Sequence, residues 1–218
     1  SRMLGLAYAS KLYRQEKSLE KVSFPFSNNG NEIIFGSIGD ASTSEGVFFE
    51  TMNAAGVLQV PLLMSVWDNG YGISVPRRLQ TVNNSISEAL SGFQSNQKET
   101  GINIYKVEGW NYLKLCEVYM EAAKKVRKDH KPALVHVVDI TQPQGHSTSG
   151  SHERYKSKER LEWEKEYCCI KKFRDWILEN KISSLQELNE IDEEERIHVE
   201  TSRSLAWELL MNPIKKEF

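Results

Sequence analysis

Apolar positions along the first 140 residues or so alternate between two spacings. Short apolar runs mark four strands, at 32–37 (EIIFGS), 62–67 (LLMSVW), 102–107 (INIYKV) and 133–139 (ALVHVVD). Each is rich in β-branched or aromatic residues and bounded by polar residues or Gly. Two are nearly all apolar, the pattern of strands covered on both faces. Between them lie segments with helical spacing. Residues 43–57 place Val47, Phe48, Met52 and Ala55 near one face, and 111–129 do the same with Tyr112, Leu115, Tyr119, Ala122 and Val126. The chain opens in such a pattern too, with Leu4, Ala7, Tyr8 and Leu12. The stretch 79–99 is polar and Ser/Asn-rich, which predicts a loop with a short helix near 85–90.

From residue 149 onward the pattern changes to charged and helical, with no strand signal. One helix is expected over 157–179, with Trp163, Tyr167, Ile170, Phe173 and Ile177 as its apolar face, and a second over 185–210. The acidic run 190–195 reads as solvated helix surface. The expected architecture is α/β: a mostly parallel sheet flanked by helices over 1–148, followed by a helical C-terminal extension, 149–218, packing on it. No internal repeat or low-complexity tract interrupts this reading.

Composition narrows the function classes. The 218 residues are 39% hydrophobic and 27% charged, enough for a packed core. Lys and Arg total 28 against 30 Asp and Glu, a net charge of −2, so no basic surface for nucleic acid is indicated. No apolar run approaches the roughly 20 residues needed to cross a bilayer, and no secretory signal is read. The three cysteines, Cys116, Cys168 and Cys169, form no CxxC pair and read as reduced thiols of a cytoplasm. Because Ser1 stands directly at a helical pattern, the chain reads as a piece of a longer protein.

Candidate chemistry sits where strands give way to helices. The stretch Gly36-Ser37-Ile38-Gly39-Asp40-Ala41-Ser42-Thr43-Ser44-Glu45-Gly46 ends the first strand at the sheet's carboxyl edge, where ligands bind in open α/β folds. Gly36 and Gly39 allow a tight turn and a close approach to a ligand. Ser42 and Glu45 fit a capping box, which marks a helix start whose remaining free N–H groups favour a diphosphate. Asp40 is placed to hold a metal. A second turn, Trp67-Asp68-Asn69-Gly70-Tyr71-Gly72-Ile73, follows the next strand. Mg²⁺ takes hard oxygen donors, often one or two from protein with phosphate and water completing the set. Asp40, the Asn69 side chain and the Tyr71 carbonyl would supply them. Either turn alone is as compatible with a capped helix or an Asn-Gly turn.

Together the two turns resemble the thiamine-diphosphate fingerprint, which begins Gly-Asp-Gly and ends Asn-Asn; Ala41 and Asp68 depart from it. Asp68 is thereby left to a supporting bond or a turn cap. Within that group, Ser44-Glu45-Gly46, the run 71–76 (YGISVP) with Gln80-Thr81, and Gly145-His146-Ser147-Thr148-Ser149 are similar to the alpha component of the 2-oxo acid dehydrogenases, pyruvate or branched-chain type. The resemblance implies a thiamine-diphosphate-binding fold and two cofactors, thiamine diphosphate and Mg²⁺. It implies Gly39, Asp40, Ala41, Ser42, Asn69, Tyr71, Ile73 and His146 as cofactor contacts. Asp40, Asn69 and Tyr71 would ligate the metal, and His146 would act near the diphosphate and in acyl transfer. It further implies decarboxylation of a 2-oxo acid with the acyl group passed to a lipoyl arm. The implied partners are a beta component or beta-like half, a lipoyl-carrying acyltransferase, and a second alpha–beta unit. The Glu that activates the cofactor's aminopyrimidine ring lies on the beta component in such enzymes. Ser147 and Ser149 match positions phosphorylated in some relatives, and a bacterial-type cytoplasmic chain need not use them. His152, Arg77 and Arg78 read as solvated loop residues, Trp110 and Trp163 as core or interface. Alternatives are a transketolase-like thiamine enzyme and a non-catalytic assembly module; a plain nucleotide-binding domain is disfavoured, since neither GxGxxG nor a P-loop is present.

Overall fold

A computed structural model describes residues 1–19, 26–95, 100–146 and 151–217. The chain divides into two compact units, Ser1–Lys172 and Phe173–Phe218. The first is built on a four-stranded parallel sheet: β1 (Ile34–Gly39), β2 (Leu62–Trp67), β5 (Asn103–Glu108) and β6 (Ala133–Val138), in the order β1-β2-β6-β5. Around it lie α1 (Arg2–Gln15), α2 (Gly46–Leu58), the single-turn α3 (Ile86–Ala89) and α4 (Tyr112–Asp129). A two-residue antiparallel ladder joins β3 (Tyr71–Gly72) to β4 (Val75–Pro76). The α/β expectation holds, and so does the parallel sheet.

Strand alternation distributes the core over both faces. Met64, Val66 and Leu134 pack with Phe48 and Met52 of α2 and with Ile86 and Leu90. Leu63, Ala133, Val135 and Val137 pack against Val118, Ala122 and Val126 of α4. β6 is buried throughout and β2 in all but Trp67, which explains why those two runs read as continuously apolar. Each fully buried aliphatic side chain here is worth about 1.5–3 kcal/mol relative to exposure.

Local differences from the sequence expectation have local causes. β1 begins two residues later than expected because Glu32 is drawn into a turn. Its carboxylate accepts from the Ser27 hydroxyl at 3.0 Å and from the Asn28 amide, which holds its pKa below the usual range against the opposing effect of burial. α2 begins at Gly46, not at 43, and the Ser42–Glu45 capping box does not form. Instead Ala41–Ser44 is a 3₁₀ turn, closed by the Thr43 hydroxyl on the Asp40 carbonyl at 2.6 Å, and extended Glu45 separates it from the helix. The single helix expected over 157–179 is two, α5 (Lys158–Glu166) and α6 (Cys169–Glu179). Tyr167 leaves helical geometry at the break, its ring 5.0 Å from Trp163 and 5.3 Å from Trp110. The Thr141 hydroxyl accepts the first amide of α6 from Cys169 at 3.3 Å. Ile170, expected on the apolar face, is exposed.

In the second unit, α7 (Leu185–Glu217) runs past the expected end at 210. Arg174 of α6 bridges to Asp192 at 2.7 Å and to Asn189. No described helix is long and apolar enough to cross a membrane.

Candidate functional site

The register of the sheet brings the two sequence turns together. Gly39 and Trp67 are paired at the ends of adjacent parallel strands. The ladder then continues past both strands: the Asp40 amide donates to Trp67 O at 3.1 Å, the Asp68 amide to Val137 O at 2.8 Å, and the Ile140 amide to Asp68 O at 3.1 Å. Three consecutive strand ends therefore carry Asp40, Asp68 and the segment running to His146 along one carboxyl edge.

Asp68 is the anchor of this edge. Its side chain is wholly buried, and Oδ2 accepts from the Arg77 guanidinium and from His136 Nε2 at 2.7 Å, while Oδ1 accepts the Gly70 amide at 2.8 Å. The Ser87 amide donates to His136 Nδ1 at 3.3 Å, which leaves Nε2 as the protonated nitrogen facing Asp68. Burial alone would push the Asp68 carboxyl up, but the His136 hydrogen bond and the Arg77 charge outweigh it and hold it below the usual carboxylate range. Arg77, expected to be solvated, is thus half-buried and paired. Asp68 does both things the sequence left open, capping the turn and supporting its neighbours.

Asp40 has the opposite character. It is only 5% exposed, and its Oδ2 is buried without a hydrogen-bond partner among the described residues. Burial, then the Asp68 carboxylate nearby, push its pKa up to about 7. An orphaned buried carboxylate oxygen needs a proton or a cation. Asn69 lines the same cleft with an ordered amide: Nδ2 donates to Gln142 Oε1 at 2.7 Å and Oδ1 accepts from the Tyr71 amide at 2.9 Å. That leaves Oδ1 with a free lone pair. Among the described residues no three His, Cys, Asp or Glu side chains group together as metal ligands. One carboxylate with an amide and a carbonyl oxygen suits a hard cation that takes its remaining oxygens from phosphate and water.

All eight residues named from the sequence as cofactor contacts line one cleft of about 670 Å³: Gly39, Asp40, Ala41, Ser42, Asn69, Tyr71, Ile73 and His146. A Cβ on Gly39 would meet nothing within 4 Å. Gly72 is the reverse case, since a Cβ there would lie 2.6 Å from the Ala41 Cβ and 2.7 Å from the Gln80 side chain. Ala41, the departure from Gly in the fingerprint, is therefore accommodated by the absence of a side chain at Gly72. Ile73, β-branched, adopts φ 59° and is 59% exposed at the cleft. Backbone strain of this kind persists only where surrounding structure over-determines it. His146 is exposed at the rim. Ser147 and Ser149 lie outside the described residues.

Sequence reasoning missed a second layer. The Tyr71 ring is packed by Tyr155 at 5.7 Å, by Lys156 Nζ at 5.0 Å and by the Arg160 guanidinium at 5.8 Å. Arg160 also donates to the Asn69 carbonyl at 3.2 Å. Glu164, buried, accepts from Lys156 at 2.8 Å and from Arg160 at 2.8 Å. The i,i+4 spacing of Arg160 and Glu164 was the one legible signal. His152, expected to be a solvated loop residue, is buried with its ring 5.8 Å from Tyr155.

Comparison with known proteins gives the family of the chain. The sequence model described as "Dehydrogenase E1 component" matches residues 1–213. The pyruvate dehydrogenase E1 component subunit alpha of Rickettsia bellii is 29% identical over 168 residues, 76% of this chain and 48% of that protein. The mitochondrial 2-oxoisovalerate dehydrogenase subunit alpha 2 of Arabidopsis thaliana is 31% identical over 144 residues, covering 65% of this chain and 29% of that one. The 3-methyl-2-oxobutanoate dehydrogenase subunit alpha of Mycobacterium tuberculosis is 31% identical over 125 residues, 57% and 32% of the two chains. The chain spans half or less of the length of these relatives.

Proposed function

Since the chain belongs to the dehydrogenase E1 component family, we propose that it is the part of a 2-oxo acid dehydrogenase that holds the diphosphate and Mg²⁺ of thiamine diphosphate. The observation that carries this is the Oδ2 of Asp40, buried and unpartnered among the described residues, in a cleft bordered by Asn69 and Tyr71. Asp40 supplies a charged oxygen, Asn69 Oδ1 and the Tyr71 carbonyl two neutral ones. Gly39, Ala41 and Ser42 border the diphosphate, with Gly39 leaving room for it. Ile73 faces the cofactor from the second turn, and His146 stands at the rim, where it meets the diphosphate and takes part in acyl transfer.

Thiamine diphosphate, when bound, supplies the nucleophilic carbon at which a 2-oxo acid is decarboxylated. This chain's own residues bind and orient it. The aminopyrimidine-activating Glu comes from a beta component or beta-like half, and the acyl acceptor is a lipoyl arm on an acyltransferase. Alpha–beta units pair in turn. The relatives' names support pyruvate or a branched-chain 2-oxo acid as substrate. Free Cys116, Cys168 and Cys169 suit a reducing, bacterial-type cytoplasm.

Calorimetry of thiamine diphosphate with Mg²⁺ on the assembled protein tests the proposal, compared with Asp40→Ala and Asn69→Ala. Each variant should lose affinity by at least tenfold, about 1.4 kcal/mol. Undiminished affinity in both would remove the metal assignment.

A further inference from the structure

The turn that offers Asn69 and Tyr71 to the metal is held both from within and from a distant part of the chain. Gly70 sits at φ 83°. Glycine crosses readily between positive and negative φ, so the peptide joining Asn69 to Gly70 keeps its orientation only through the hydrogen bonds made at its two ends. Inside the turn, Asp68 and Asn69 hold the next two amides, at 2.8 and 2.9 Å, and the Gly70 carbonyl accepts the Arg77 amide at 2.9 Å. The Asn69 carbonyl is held from a distant part of the chain, by Arg160 Nη2 at 3.2 Å.

Arg160 is itself built in. Its guanidinium lies 4.5 Å from the centre of the Trp163 ring and its Nε donates to Glu164 at 2.8 Å. Glu164 is fixed in turn by Lys156, through bonds of 2.9 and 2.8 Å, with both side chains at least nine-tenths buried. Lys156 then places its ammonium 5.0 Å from the Tyr71 ring. One buried network on α5 and the residues just before it therefore grips the metal turn at two points: the Asn69 carbonyl and the Tyr71 ring. Buried ion pairs add little net stability, because desolvation offsets their attraction. Orientation is the contribution they make best. A Mg²⁺ site needs it, since that ion tolerates little departure from octahedral geometry.

We propose that Arg160 is a positioning residue for the metal site: by holding the Asn69 carbonyl, with Lys156 and Glu164 fixing its own place and the Tyr71 ring, it sets the aim of the Asn69 side chain and the Tyr71 carbonyl. The inference rests on the Mg²⁺ assignment above. It predicts that a residue that does not line the cleft controls metal affinity while leaving the fold intact. Arg160→Met is the suitable change, since Glu164 keeps Lys156 as partner and no buried charge is stranded. Arg160→Lys restores a cation and a single donor.

The test uses the assembled protein, titrated with Mn²⁺ as a spectroscopic stand-in for Mg²⁺ in the presence of thiamine diphosphate, alongside thermal melts. Arg160→Met should melt near the parent without metal, bind Mn²⁺ about tenfold more weakly, and give an altered Mn²⁺ resonance spectrum. Arg160→Lys should recover part of both. Parent-like affinity and spectrum in Arg160→Met, with binding lost in Asp40→Ala, would overturn the role of Arg160 and leave the metal site standing. Parent-like binding in Asp40→Ala as well would overturn both. If Arg160→Met melts far below the parent, Arg160→Lys decides: parent-like melting with weakened Mn²⁺ supports positioning, and weakening only in step with melting refutes it.

Discussion

His136 Nε2 lies 2.7 Å from Asp68 Oδ2, and both side chains are wholly buried. The pair ties β6, one of the two inner strands, to the turn that follows its neighbour β2, and Arg77 supplies the compensating charge. Asp68→Ala removes the carboxylate that His136 and Arg77 share, leaving buried His136 Nε2 without that acceptor and Arg77 with Asn84 Oδ1 at 3.2 Å. A loss of about 3–5 kcal/mol in urea unfolding is expected, a large share of the stability of an ordinary domain. A loss below about 1 kcal/mol would mean the cluster is not structural.

Asp68 also sets an acid limit. Its folded pKa is lowered, so the stability it contributes is fully present above its ordinary value of 3.8 and is lost as pH falls through the folded value. Asp68→Asn should flatten the stability profile below about pH 4. An unchanged acid limb would assign that limb to other carboxylates.

Asp40 behaves in the opposite sense. In the metal-free chain it releases its proton near pH 7, against 3.8 when unfolded. The unfolded chain therefore loses this proton first, and stability falls as pH rises from about 4 to about 7. If Asp40 ligates Mg²⁺ as proposed, the ion competes with the same proton. Its affinity, measured by titration with thiamine diphosphate present, should climb through pH 7 and level off above it. A flat profile would place Asp40 outside the metal's coordination.

Gly72 and Ala41 form a fitted pair, since a Cβ on Gly72 would stand 2.6 Å from that of Ala41. Gly72→Ala should destabilise by about 1–3 kcal/mol. Ala41→Gly in the same chain should return part of it, giving a coupling above about 0.5 kcal/mol in a double-mutant cycle. Additive effects would show that the contact relaxes elsewhere, at Gln80 for example.

Ile73 holds a β-branched side chain at φ 59°. Asn tolerates that region better, so Ile73→Asn should raise the stability of the cofactor-free chain by about 1 kcal/mol. The same change should weaken thiamine diphosphate binding, if Ile73 faces the cofactor as proposed. Thermal melts with and without cofactor separate the two effects; a variant that is less stable in both conditions would show that the backbone geometry is not a source of strain.

Much of the design was legible in the sequence because its causes are local. Apolar runs and helical spacing located four strands and the main helices of the sheet unit within a few residues, since side-chain period follows backbone geometry. Residues at strand ends identified the cleft, because a parallel sheet presents its strand ends along one edge. What the sequence withheld depends on partners distant along the chain. Asp68 read as a departure, and only the pairing of β2 with β6 sets it against His136, 68 positions away. Arg77 and His152 read as solvated, because burial is decided by what packs over a residue and not by its neighbours in sequence. Arg160 lies 91 positions from the carbonyl that it holds. The chain alone thus pointed to the residues that line one cleft at the sheet's carboxyl edge. The tertiary structure decided what surrounds those residues, leaving one oxygen of Asp40 buried without a partner among the described residues while Asp68 is fully satisfied, because solvation and charge are properties of a packed neighbourhood.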